Sequence, residues 1–199
     1  STPFSDAMAI EAIKLIFEYL PRCYTNGSAD PKAREMQAYA STLAGISFAN
    51  AFLGIAHSLG HKLGAYFHLP HGVCVSLMLI PVMKFNASET PTKMGTFPQY
   101  DHPVSLQRYA HLAETLGIEG KTDKEKFDKL IEKIYKLQDE VEMFHTIKDY
   151  GIKEEDFLRV LDQMSEDAFN DQCTGANPRY PLISEMKELY LEAYYGEKK

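Results

Sequence analysis

The stretch "GIAHSLGHKLGAYFHLPHG", residues 54–72, gathers four of the chain's seven histidines into 19 residues. Its only formal charge is Lys62. Imidazoles concentrated in otherwise apolar sequence are either hydrogen-bonded packing residues or ligands. His61 follows His57 by four residues, so on a continuous helix the two rings share a face. His71 lies just past Leu69 and Pro70, where the helical pattern breaks; a helix, a turn and a new helix start would return it toward His57. His68 falls three residues before His71 and belongs to either side of that turn. Two or three converging imidazoles are the usual core of a site for a first-row divalent metal. Spacing alone leaves the metal and the packing readings both open. Ser58 follows His57 where HExxH demands a glutamate, which excludes a zincin protease. No carboxylate sits inside the stretch, so a metal held there needs ligands from elsewhere.

Outward from this stretch the periodicity is helical nearly everywhere. Ser5 is the expected cap of a first helix with Ile10, Ile13, Ile16, Phe17 and Leu20 on one face, ending near Pro21. "YTNGSADP", 24–31, reads as a turn, after which Asp30 caps a helix with Pro31 at its first position. That helix is crowded with small residues from Ala38 to Ala56 and is expected at the centre of a bundle. The run 36–60 lacks charge and is long enough to span a bilayer, but Gln37, Ser41, Thr42, Ser47, Asn50, His57 and Ser58 make that costly; a helix buried on all sides is expected instead. "HGVCVSLMLIPVMKFN" resumes the pattern after the break. Residues 87–103, with three prolines, read as a long surface loop. "VSLQRYAHLAETLG" closes at Gly117. "TDKEKFDKLIEKIYKLQDEVEMF" directs Phe127, Leu130, Ile131, Ile134 and Leu137 inward. Two further amphipathic segments complete the chain. Nothing alternates long enough for a strand. The expected fold is all-α, one domain over 1–199 made of about seven helices.

Composition removes several function classes. A net charge of −7 and no basic stripe argue against nucleic acid as a partner. Cys23, Cys74 and Cys173 are odd in number and far apart, which fits a reducing, cytoplasmic setting and no thiolate zinc site. "STPFSDAMAI" lacks the basic and apolar regions of a signal peptide, and no membrane partner is expected.

At this point the motifs become informative together. "NAFLGIAHSLGHKLG" and "HLPHGVCVSLMLIPVMKFN" resemble the signature of the iron-containing (group III) alcohol dehydrogenases. "TPFSDAMAIEAIKLI", "TPTKMGTFPQYD" and "SEDAFNDQCTGANPRYPLISEMKELYLEAYYG" resemble the alcohol dehydrogenase part of the bifunctional aldehyde–alcohol dehydrogenases. The likeness runs the length of the chain. It implies that His57 and His71 are metal ligands and that His61 stands by nicotinamide and substrate with a proton-transfer role. His68 falls where the family tolerates other residues and is expected to pack or to support the site.

The resemblance further implies Fe2+ as the metal, with Zn2+ an alternative occupant, and NAD as the cofactor. It places the family's other two ligands, an aspartate and a histidine, and the nucleotide-binding domain upstream of "TPFSD". Neither that ligand motif nor a Gly-rich dinucleotide loop occurs here. The expected partners are therefore the upstream nucleotide-binding domain, a small aldehyde or alcohol substrate such as acetaldehyde or ethanol, and copies of the protein in an oligomer or filament. The chain alone is expected to be inactive. A competing reading makes it an assembly module without catalysis of its own. A metal-dependent hydrolase on the same histidines lacks a motif-placed general base. In "DQCTGANPRYP", Cys173, Asn177 and Arg179 either approach a cofactor phosphate or a neighbouring subunit, or form a capped turn between helices. Cys74 shares a helix face with His71 and is expected to pack rather than ligate.

Overall fold

The computed structural model describes residues 1–94 and 103–196. Residues 95–102 of the proline-rich segment expected as a surface loop lie outside the described residues. Among the described residues eight α-helices form, and the only β pairing is an isolated bridge between Met94 and Arg179. The fold is all-α as expected; the small-residue run and the histidine run are two helices, not one. Two compact units result, residues 1–52 with 109–143 and residues 53–108 with 144–199.

The first unit is built on α1 (Pro3–Asn26), α2 (Pro31–Ala51) and α6 (Asp123–Glu140), with the later part of α5 (Ser105–Thr115). Thr2, and not Ser5, caps α1: its hydroxyl accepts from Ser5 N at 3.2 Å while Ser5 Oγ accepts from Thr2 N at 2.8 Å. Pro21 does not end this helix. Proline forfeits one backbone hydrogen bond, but the following turn is held by Arg22 on Asp30 at 2.8 Å and Tyr24 on Glu142 at 2.8 Å. Ser47 Oγ donates to Ser5 O at 2.8 Å and Gln37 Nε2 to Leu15 O at 3.0 Å, which fixes α1 and α2 antiparallel.

In that register Ala12 falls opposite Ala40, and the buried residues of α2 are Ala33, Ala40 and Ser47, one every seven. Small side chains on this one stripe let the helices approach closely. The other faces stay open: Tyr39, Ile46 and Phe48 are exposed, so α2 is not the helix buried on all sides. Absence of charge did not mean burial here. In α6, Phe127, Leu130, Ile131 and Ile134 are buried as expected, and Gln138 takes the place assigned to Leu137.

The second unit contains α3 (Ile55–Phe67), α4 (His71–Asn86), α7 (Glu154–Phe169), a 3-10 turn (Thr174–Ala176) and α8 (Ile183–Tyr195). Helix α3 packs on α4 and α7, and α8 on α7 and α4. Helix α4 is apolar all round and is the central one, with Cys74, Leu77, Met78, Ile80, Val82, Met83 and Phe85 buried. Phe157 stacks on Tyr194 at 4.3 Å between ring centres. Tyr190 and Tyr194 are buried while Tyr195 is exposed. No single helix among the described residues is long and apolar enough to cross a membrane.

Candidate metal centre

Glycines bring α3 and α4 together. A Cβ on Gly60 would lie 3.0 Å from Val75 Cγ2 and 3.3 Å from Val75 N. One on Gly64 would lie 3.3 Å from both Cys74 Sγ and Leu69 O. A side chain at either position would require its neighbours to give by a few tenths of an ångström. The turn between the helices runs through His68, whose φ of 55° and ψ of 36° end α3 in the left-handed conformation. His68 is exposed there, so it neither packs nor supports the other rings. Pro70 then caps α4, and His71 is its first residue.

This hairpin brings three imidazoles together, His61 stacked on His71 and edge-on to His57. Ring centres of His57 and His71 are 5.4 Å apart, those of His61 and His71 5.5 Å, and those of His57 and His61 5.9 Å. The cluster is at the surface of its unit: His57 and His61 are half-buried and His71 is exposed. Two imidazoles sharing a tetrahedral ion at roughly 2.1 Å per nitrogen place their ring centres about 5 Å apart. The His57–His71 pair has that separation, and neither ring has a hydrogen-bond partner among the described residues. Burial first, then the neighbouring His71 and His61, lowers the His57 imidazole below its ordinary value, which favours the neutral form a metal requires. The residues present fit a divalent first-row metal.

His61 differs from the other two. Its Nδ1 lies 3.2 Å from Asp171 Oδ2. The same oxygen accepts from Lys62 Nζ at 3.1 Å, and Asp171 Oδ1 accepts from Cys173 N at 3.0 Å. Burial works to raise the Asp171 carboxyl, but the bonds from Cys173 N, Lys62 and His61 outweigh it and hold the group down at about 2. Sequence reading missed Asp171, which stands 110 residues from His61 just past the end of α7. Its only local signal is the Asp-x-Cys start of the "DQCTGANPRYP" turn.

His61, Asp171 and Cys173 also place their ligating atoms within 4.8 Å of one another. Burial and then the nearby Asp171 charge push the Cys173 thiol up to about 11, so its thiolate is disfavoured. The Asp171 oxygens already serve three donors. The trio is joined by hydrogen bonds onto Asp171. Cys74 is likewise a packing thiol, fully buried and pushed up to about 11 by burial.

The rest of that turn is structural. Asn177, 1% exposed, accepts from Ile55 N at 3.2 Å, caps α3 from a distance, and donates to Asn86 Oδ1 at 2.7 Å and Arg179 O at 2.6 Å. A Cβ on Gly54 would sit 2.6 Å from Asn177 Oδ1, so glycine is required where α3 begins. Arg179 stacks on Phe85 at 3.7 Å and donates to Phe85 O at 2.8 Å and Glu185 Oε1 at 2.6 Å. The capped-turn expectation describes these contacts.

A family model described as "Fe-containing alcohol dehydrogenase family, C-terminal" matches residues 1–194, and the chain belongs to that family. It is 49% identical over 198 residues to the bifunctional aldehyde-alcohol dehydrogenase of Escherichia coli K12, covering 98% of this chain and 22% of that protein. To the NADPH-dependent butanol dehydrogenase of Clostridium saccharobutylicum it is 40% identical over 195 residues, covering 98% of this chain and 46% of that one. The iron-containing alcohol dehydrogenase of Thermococcus thioreducens superposes with a TM-score of 0.81 at 35% identity, over 98% of this chain and 45% of the other. The chain therefore spans less than half the length of these relatives.

Proposed function

We propose that this chain is the metal-binding helical part of a cytoplasmic, NAD-dependent alcohol dehydrogenase that interconverts short-chain aldehydes and primary alcohols. The observation that carries the reading is the convergence of His57 and His71 to 5.4 Å at an accessible surface, with His61 beside both. His57 and His71 would hold Fe2+, or Zn2+ in its place. When bound, the metal supplies Lewis acidity toward the carbonyl oxygen and the nicotinamide supplies the hydride. The chain's own share is to orient and to manage the proton. His61 takes the proton up on the nitrogen remote from Asp171, which is otherwise bare, and passes it between the product oxygen and solvent, a task suited to imidazole. The nucleotide site and the remaining metal ligands belong to an upstream domain in this reading, so the chain alone turns over nothing.

Anaerobic titration with Fe2+, and with Zn2+ as surrogate, tests the ligand assignment. One weak site is expected, and His57→Ala or His71→Ala should each abolish it. Binding that survives both substitutions overturns the assignment. Turnover of acetaldehyde with NADH by the metal-replete chain alone would overturn the division of the site between two domains.

A second reading, an assembly module, draws on the aromatic side chains Phe4, Phe48 and Phe52, which are 55%, 47% and 54% exposed in the first unit. Light scattering separates the two, because a strict monomer at high concentration removes the assembly reading.

A further inference from the structure

The contacts of His61 point beyond its own role. An ionised carboxylate only accepts hydrogen bonds. Three groups converge on Asp171: Lys62 Nζ at 3.1 Å and His61 Nδ1 at 3.2 Å on Oδ2, and Cys173 N at 3.0 Å on Oδ1. Its side chain is only 8% exposed, so few solvent molecules compete for these oxygens. Lys62 is the neighbour of His61 on α3, and Cys173 leads into the 3-10 turn whose Thr174 contacts Ser58 of the same helix at 2.8 Å. Asp171 is thus anchored from both sides by the elements that hold His61.

We propose that Asp171 is a positioning residue that fixes His61 as the Nδ1–H tautomer, with Lys62 and the Cys173 N–H holding the carboxylate in place. The imidazole then presents Nε2 as its one unprotonated nitrogen. In the other tautomer, a lone pair on Nδ1 would face the anionic oxygen at 3.2 Å, an electrostatic repulsion without compensation. The inference deepens the dehydrogenase reading and rests on it for its consequence, since a proton carrier must offer a nitrogen of defined state to the substrate. It also assigns Lys62 a use: the ammonium competes for the same oxygen, so the carboxylate remains an anchor for the ring and takes no part as a proton store.

The tautomer is read directly by long-range 1H–15N correlation on the labelled, metal-free chain at mildly alkaline pH, where imidazoles are neutral. The His61 resonances are assigned by their disappearance in His61→Gln. Expected is a protonated Nδ1 and an unprotonated Nε2 in the unsubstituted chain. Asp171→Asn should shift the pattern toward a mixture of tautomers, and Asp171→Glu should restore part of the original. A predominant Nε2–H form in the unsubstituted chain overturns the proposal, and so does a pattern unmoved by Asp171→Asn in a variant of unchanged helicity. Should Asp171→Asn fail to fold, the pattern of the unsubstituted chain decides alone. No metal or cofactor enters the experiment. Failure here leaves the His57 and His71 titration standing, and failure of that titration leaves the tautomer result standing.

Discussion

In the first unit small residues recur every seven positions along α2, and the polar groups that pair do so mostly at the surface, as Lys124 with Asp128 and Lys129 with Glu125. In the second unit glycines lie where helices touch, and polar side chains are buried or half-buried and joined: Asn177 to Asn86 and Ile55, Arg179 to Glu185, Tyr190 OH to Leu59 O at 2.8 Å. Each is a workable way to pack helices, but they differ in specificity. The stripe of Ala33, Ala40 and Ser47 brings its helices close with a single buried side-chain bond, Ser47 Oγ to Ser5 O, along it. A buried amide with several partners tolerates one arrangement only, because each partner it loses is left without water. The histidines are on the unit built the second way. Placing imidazoles to within a fraction of an ångström requires the start and rotation of α3 to be fixed, and Asn177 fixes the start while Gly60 and Gly64 fix the rotation against α4.

Substitutions in the two units should therefore behave differently. The largest loss is expected for Asn177→Ala, which leaves the Ile55 N–H and the Asn86 amide buried without partners. About 3 kcal/mol should be lost in urea titration, with amide exchange accelerated at the start of α3; a loss below half of that would mean the network is redundant. Glu185→Gln comes next, at about 2 kcal/mol at neutral pH, because it removes the negative charge paired with Arg179 in a poorly solvated place. Burial tends to raise the Glu185 carboxyl, but bonds from Leu182 N, Thr92 and Arg179 bring it below its ordinary value. Its contribution is thus complete above the unfolded value, about 4.3, and fades as pH falls through the lower folded value. The difference between Glu185→Gln and the parent should shrink toward zero across that acidic window. A difference that grows with acidity would reverse the sign of the argument.

Gly60→Ala should cost about 1.5 kcal/mol, as the added methyl meets Val75 side chain and backbone. Gly45→Ala is its counterpart in the first unit and has the smallest effect, of opposite sign. A Cβ there meets nothing within 4 Å, and replacing a mid-helix glycine gains about 0.7 kcal/mol. Thermal melting of the two variants side by side would sharpen the comparison; equal shifts would erase it.

Much of this was legible in the sequence, for reasons that can be named. His57 and His61 are on one helix, and His71 is returned by a single proline-containing turn, so local spacing predicted three rings that do meet. Repeating apolar positions identified the buried face of α6 for the same reason. Asp171 was hidden because its partner is 110 residues away, and no period or motif couples a carboxylate to a ring at that distance. The exposure of α2 was hidden too: small uncharged residues pack equally well against one neighbour or several. Helix α1 ran past Pro21, and the contacts of the turn beyond it, Arg22 with Asp30 and Tyr24 with Glu142, follow no sequence period.

The three thiols carry a practical consequence. Cys74 and Cys173 are buried and held as unreactive SH groups at neutral pH, Cys173 beside the Asp171 carboxylate, whereas Cys23 is partly open on α1. Maleimide reagents should therefore mark the native chain once, at Cys23, with no mutagenesis needed. A fluorophore placed there would sit on the unit that lacks the imidazole cluster.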